Sequence, residues 1–298
     1  MRASAYAPSH ISGFFEICEN ENPLEKGSVG CGVLLSAGCF TEVRICECEE
    51  TEIRIKINGN EEEAPTTRSV VEKMLASALS ARKKGAFCVL VDTRFEVPLR
   101  NGFGASGAGA LSTALALNDA LSLRFTLNEL AQIAHLAEIE NSTGLGDVVA
   151  ETFGGGVVIR KKAGAPGIGE IDRIPTRSIT VSYAVLGKGI ETRRMLRDAS
   201  HDKELRRRIN NAGKASMREL LREPTIENFM RCSQNFALKT GLASERCVDA
   251  IEAVAAEGKI ASVAMLGEAV FVVGESEALR EFGDVKTSKI SFSGAKLL

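Results

Sequence analysis

Two groups of residues in this chain have the types and spacing that handle phosphate. The first is the stretch PLRNGFGASGAGALSTALAL, from Pro98 to Leu117. In it a turn leads into Gly102, Gly104, Ala105, Ser106, Gly107, Ala108 and Gly109. Glycine lets the backbone take positive φ and approach a ligand closely. Beyond the glycines, Ala108, Leu111 and Leu115, and also Ala114, Leu117 and Leu121, recur at spacings of three and four. That spacing predicts a helix, and a helix that is apolar nearly all round is buried. Free N–H groups and the dipole at the mouth of such a helix form an anion site, typically for phosphate. A tight turn needed only for close helix packing would also explain the glycines. No Lys follows them, so this is not a P-loop. No acidic strand end lies downstream, as a dinucleotide fingerprint would require.

The second group lies further on. Thr126 and Glu129 read as a capping box ahead of the periodic run Leu127, Leu130, Ala134, Ala137. His135 and Glu138 are three apart and so share a helix face. The helix stops in Asn141-Ser142-Thr143-Gly144; Leu145-Gly146-Asp147 follows, and Gly154-Gly155-Gly156 precedes a strand at 157–159. Taken alone, an Asp after two glycines is most often a turn or N-cap residue. A lone Glu on such a helix is often an edge residue.

These groups need a scaffold to hold them. Residues 1–17 read as a strand broken by Pro8, Ser9 and Gly13, which puts His10 in or beside a turn. Lys26, Gly27 and Ser28 lead into an apolar strand over 29–38. Val43 and Ile45, then Ile53, Ile55 and Ile57, alternate with charged residues. The spacing predicts an antiparallel pair joined by an acidic turn at Glu49-Glu50. A helix over 70–84 and a strand over 86–91 lead to the glycines. The Gly/Pro-rich stretch 160–169 is the best domain boundary, giving domains 1–170 and 171–298. Arg160 at its start is either a solvated flank or a cation for an acidic ligand. After it come a strand over 179–186, a helix starting at Glu191-Thr192, and helices over 203–222, 225–240 and 244–257. Strands over 260–266 and 269–273, a short helix over 277–282 and a strand over 285–292 complete the chain. The fold class is α+β, with a two-layer second domain.

The bulk numbers exclude several roles. With 298 residues and 44% hydrophobic content the chain can build a sizeable core, and a net charge of −2 leaves no nucleic-acid footprint. No apolar run is long enough to span a membrane, and MRASAYAPSH lacks the apolar core of a signal peptide. The cysteines at 18, 31, 39, 46, 48, 88, 232 and 247 are scattered, with Cys46-Glu-Cys48 the only close pair and no metal-site spacing. They read as free thiols of a reducing cytoplasm.

The order Pro98-x-x-x-Gly102-Phe103-Gly104-Ala105-Ser106-Gly107-Ala108 resembles the phosphate-binding motif of the GHMP kinases, such as galactokinase, homoserine kinase and mevalonate kinase. Glu138, Gly144-x-Gly146-Asp147, Ala150 and Gly154-Gly155 resemble the family's acidic helix and the carboxylate turn that follows it. Ala5-Tyr6-Ala7-Pro8-x-His10-Ile11-x-Gly13-Phe14-Phe15-x-Ile17 resembles the archaeal pantoate kinase branch, with His10 where most GHMP kinases carry Lys. The family's His-Gly-x-Pro-Ser is absent. The Glu-to-Asp gap is short, which leaves Glu138 or Glu140 as the acid; Glu138 is preferred because it shares a face with His135. Ala264 to Phe271 is a degenerate form of the family's late Gly-x-Gly-Gly. The resemblance covers essentially the whole chain.

That resemblance implies the two-domain GHMP fold: an N-terminal ribosomal-protein-S5-like domain and a C-terminal ferredoxin-like domain. It also implies ATP held by the glycine loop and Mg²⁺ on Ser106 and Glu138, since Mg²⁺ needs few protein oxygens. Asp147 would be the base, or the orienting group, at the acceptor hydroxyl. The acceptor would be pantoate, bound by Ser28, His135, Arg160 and Thr192, with His10 as a further contact near the chain start. A cytoplasmic homodimer belongs to the same picture. The rival readings are another GHMP kinase, acting on homoserine, shikimate or a mevalonate derivative, and a non-catalytic nucleotide-binding relative.

Overall fold

A computed structural model describes residues 1–82, 86–187, 195 and 202–298. Its organising element is the pair β1 (Arg2–Cys18) and β2 (Gly27–Cys48), hydrogen-bonded antiparallel along nearly their whole length. β1 is buried almost without a break from Ala5 to Phe15. Such continuous burial means that both of its faces are covered.

β2 forks. Its first half also pairs with β6 (Val157–Lys162), and its second half with β5 (Ala86–Phe95). Beyond β5 lie β3 (Glu52–Ile57) and the two-residue β4 (Asn60–Glu61), and β7 (Glu170–Ile174) edges β6. A second, antiparallel sheet has the order β11-β8-β10-β9, from β8 (Thr180–Val185), β9 (Ala261–Val263), β10 (Ala269–Val273) and β11 (Val285–Lys289). The chain then returns to the first sheet as β12 (Lys296–Leu297) beside β1. Bridges at Ser12–Met265 and Leu35–Ile290 join the two sheets.

Helices cover both faces of β1. On one side lies α2 (Ala105–Leu121), packed between the sheet, α1 (Pro65–Arg82) and α3 (Leu127–Asn141). The short α4 (Asp147–Phe153) sits against α2 and β1. On the other side are α5 (Lys203–Arg222) and α6 (Ile226–Thr240), with α7 (Glu245–Ala256) behind the second sheet. Phe15 meets Phe236 at 5.4 Å between ring centres, and Phe229 meets Phe271 at 6.5 Å. Each such buried ring is worth roughly 1.5–3 kcal/mol. The Thr126–Glu129 capping box is formed in full.

Two expectations need correction. The alternating segments around Val43 and Ile53 are not a hairpin: β5 lies between them, antiparallel to β2 and parallel to β3. A parallel partner needs a crossover, and α1 supplies it. His10 is not in a turn. It lies inside β1, fully buried, and bulges at Pro8/Ser9 and Ser12/Phe14 absorb the residues that looked like breakers. Glu191-Thr192 lies outside the described residues. The first sheet extends through Ile174, and the second begins at Thr180.

Candidate active site

α2 starts at the glycines because Gly104, its N-cap, takes a left-handed φ of 64°. No side chain caps this end, so the first N–H groups of the helix stay available. Three contacts fix the loop ahead of it. The His10 amide donates to Phe103 O at 3.1 Å, and the Phe103 ring packs on Tyr183 at 4.7 Å. Gly102 lies so close to Ala264 O that a Cβ would overlap it.

α3 brings Glu138 to this mouth, 2% exposed. Its Oε1 accepts from Ser106 Oγ at 2.5 Å and from Thr143 Oγ1 at 2.6 Å. Burial pushes its carboxyl up to about 7, against the pull of those two donors. Oε2 points instead toward Gly144. Glu140 is elsewhere, pairing with Lys73 at 2.7 Å and Ser69 at 2.9 Å on the surface of α1.

α4 brings Asp147 as its first helical residue, the favourable end of the dipole for an anion. Its side chain keeps 23% exposure, and Oδ1 lies 2.7 Å from His10 Nδ1. Burial would raise this carboxyl, but the His10 hydrogen bond, helped by the charge of Arg160, holds it below the usual range. Glu138 and Asp147 face each other across Gly144: a methyl there would overlap Glu138 Oε2 and sit 3.4 Å from Asp147 Oδ2. Gly144→Ala is therefore expected to swing the Glu138 carboxylate out of place. Turnover should fall by roughly two orders of magnitude, while the melting temperature barely moves, since only the end of a flexible side chain is displaced. Steady-state kinetics beside calorimetry checks this.

Arg160 is almost wholly buried within β6, at 1% exposure. Nη1 lies 3.3 Å from His10 Nε2, Nη2 donates to Ser12 Oγ at 3.2 Å, and buried Nε has no partner. Nε lies 2.7 Å from where a Cβ on Gly146 would be, and Ser28 Oγ adjoins the same point. A cation and a hydroxyl thus converge behind one glycine.

A cleft of about 900 Å³ has Ser28, Ser106, Glu138, Gly146, Asp147 and Met265 in its wall. Its other end is lined by Ile57, Pro65, Phe95 and Leu99. Gly102, Phe103, Gly104 and Ala105 belong to the wall as well. Pro98, Gly107, Ala108, His10, His135 and Arg160 do not; Arg160 lies behind the wall, its Nε against Gly146. His135 Nε2 instead donates to Lys26 O at 3.0 Å and Pro23 O at 3.2 Å, pinning the turn ahead of Ser28. Thr192 lies outside the described residues.

Three participants were not read from the sequence. Thr143 and Ser12 carry no signal beyond being polar in a turn and in a strand. Glu151 sits one turn after Asp147 on α4, fully buried beneath Gly104 and Gly107, and both its oxygens lack partners. Burial, with Asp147 and Glu138 nearby, pushes its carboxyl well above the usual range. The i, i+4 spacing from Asp147 was the only available hint.

Among the described residues no cluster of three His, Cys, Asp or Glu side chains is poised to hold a metal alone. One desolvated carboxylate beside a hydroxyl suits Mg²⁺, a hard ion that keeps waters and takes the rest of its ligands from phosphate oxygens.

A family model for the GHMP kinases N-terminal domain matches residues 68–155. The pantoate kinase of Thermococcus kodakarensis is 37% identical over 247 residues, 81% of this chain and 77% of that protein. The pantoate kinase of Methanocaldococcus jannaschii is 33% identical over 276 residues, 93% of this chain and 94% of that one. A solved structure described as a phosphotransferase related to the CoA biosynthesis pathway superposes with a TM-score of 0.86 at 31% identity, covering 100% of this chain and 99% of its own. A mevalonate diphosphate decarboxylase from Enterococcus faecalis shares the fold, with a TM-score of 0.71 at 16% identity and coverage of 100% of this chain and 99% of its own.

Proposed function

Because the chain belongs to the pantoate kinases, a branch of the GHMP kinases, we propose that it moves the γ-phosphoryl group of ATP onto the 4-hydroxyl of pantoate. The product, 4-phosphopantoate, serves coenzyme A synthesis. One observation carries the reading. Ser106, Glu138 and Asp147, from three different helices, meet at the uncapped mouth of α2, with the buried cation Arg160 behind Gly146.

Each group has a task. The N–H groups opening α2 cradle the triphosphate. Ser106 Oγ and the Glu138 carboxylate hold Mg²⁺, which when bound neutralises charge on the phosphates. Asp147, ionised and partly open to the cleft, orients the acceptor hydroxyl and accepts its proton. Arg160 and Ser28 receive the carboxylate of the acid. Catalysis is chiefly positioning and charge neutralisation.

The acceptor is tested by ADP release with pantoate, homoserine, shikimate and mevalonate in parallel. Turnover on pantoate alone supports the reading, and preference for any other alcohol overturns it. A second expectation comes from Glu138. Proton and metal compete for its carboxylate, which burial pushes up to about 7. Apparent Mg²⁺ affinity should therefore weaken by up to about tenfold per pH unit below 7 and level off above it. Glu138→Gln should flatten that dependence while weakening Mg²⁺ throughout; Mg²⁺ titrations of activity across pH read both. The division into two domains, the homodimer and a cytoplasmic location remain part of the proposal. Light scattering of the purified chain tests the second of these.

A further inference from the structure

We propose that Arg160, His10 and Asp147 form one relay in which His10 is a positioning residue, fixed as the neutral Nδ1–H tautomer and touching no substrate. Both ring nitrogens are already engaged: Nδ1 lies 2.7 Å from Asp147 Oδ1, and Nε2 lies 3.3 Å from Arg160 Nη1. The ring is fully buried, leaving no edge for a ligand. Gly32 on the neighbouring strand makes room for it, since a Cβ there would overlap Nε2.

The two partners settle the proton. Ionised Asp147 only accepts, so Nδ1 must donate to it. A guanidinium only donates, so Nε2 must accept from Arg160. An imidazolium would aim its Nε2–H at the N–H of Arg160, and burial opposes it further. His10 therefore holds the base by a neutral hydrogen bond, while the positive charge that steadies Asp147 comes from Arg160, one residue removed. The His10 amide also donates to Phe103 O, so one strand residue ties the base to the phosphate loop.

This has a consequence for specificity, which rests on the kinase reading above. Arg160 Nη1 holds His10, Nη2 holds Ser12, and Nε, buried and without a partner, lies at Gly146 beside Ser28. A carboxylate received there locks the guanidinium fork, and through His10 the orientation of Asp147. The acid group of the substrate is then felt in kcat as well as in KM.

The test has two arms. The first is two-bond ¹H–¹⁵N correlation on the full-length protein labelled at histidine, which has three such residues, 10, 135 and 201. The signal lost in His10→Asn is that of His10. A protonated Nδ1 with an unprotonated Nε2 is expected; an Nε2–H tautomer or an imidazolium overturns the relay. This arm needs no substrate, so it stands even if pantoate proves not to be the acceptor. The second arm is kinetic. His10→Ala should lower kcat about 100-fold, with the KM values of pantoate and ATP within about threefold. His10→Asn, whose amide can take the place of Nδ1–H, should recover at least about tenfold of that loss, and His10→Gln, which reaches toward Arg160 instead, should not. A rise in the KM of pantoate with kcat intact would mark His10 as a substrate contact and overturn the proposal, as would equal activity of the Asn and Gln variants.

Discussion

Asp147→Asn is expected to bind ATP as the parent protein does and to lose turnover by about 10²–10⁴-fold. Asn keeps the size of the side chain, and its Oδ1 can still accept from His10 Nδ1, so the first turn of α4 should survive. What it cannot do is take a proton. The effect is large because no second carboxylate can substitute. Glu138 is engaged by Ser106 and Thr143, and Glu151 is fully buried, out of reach of the cleft. Nucleotide affinity by calorimetry and kcat by ADP release separate the two effects. A kcat within tenfold of the parent would remove Asp147 as the base and leave the site to work by positioning alone.

Arg160→Ala should give the second largest effect, on the acid substrate. Truncating one partner of a buried, hydrogen-bonded charge pair typically costs about 2–5 kcal/mol. That corresponds to roughly 30-fold or more in the KM of pantoate, with the KM of ATP changing less than about threefold. kcat should fall as well, because His10 loses the donor that fixes its Nε2. Arg160→Lys keeps the charge without the fork, so it should recover part of the acid affinity and little of kcat. Equal increases in the KM of acid and nucleotide would contradict the assignment and point to general loosening of the core around β6, in which Arg160 is buried.

Local signals in the sequence carried the parts of the fold that local forces determine. α2 is legible from its apolar spacing and from the glycines ahead of it. α5 to α7 are legible from the 3.6-residue period, and the start of α3 from a capping box worth about 1 kcal/mol. Fold class and family followed from these and from the motifs. Strand partnership did not. Alternation in 43–57 says which face is buried but not whether a neighbour is adjacent or one strand away, and β5 took the place between. His10 was misplaced because Pro8, Ser9 and Gly13 are as much at home in a bulged central strand as in a turn. The burial of Arg160 could not be read either, since a charged residue at a strand end looks the same whether water or a second sheet lies beyond it. Glu151 is the extreme case: only the packing of α4 on α2 makes that carboxyl unusual.

The central claim is that the mouth of α2 and the two acids beside it transfer phosphate to the alcohol of an acid held by Arg160. The most direct measurement is proton-coupled ³¹P NMR of the product formed from ATP and pantoate. The account predicts a stable phosphomonoester whose phosphorus couples to the two protons on C4. A phosphorus on the carboxylate, on the 2-hydroxyl, or only in inorganic phosphate would contradict it.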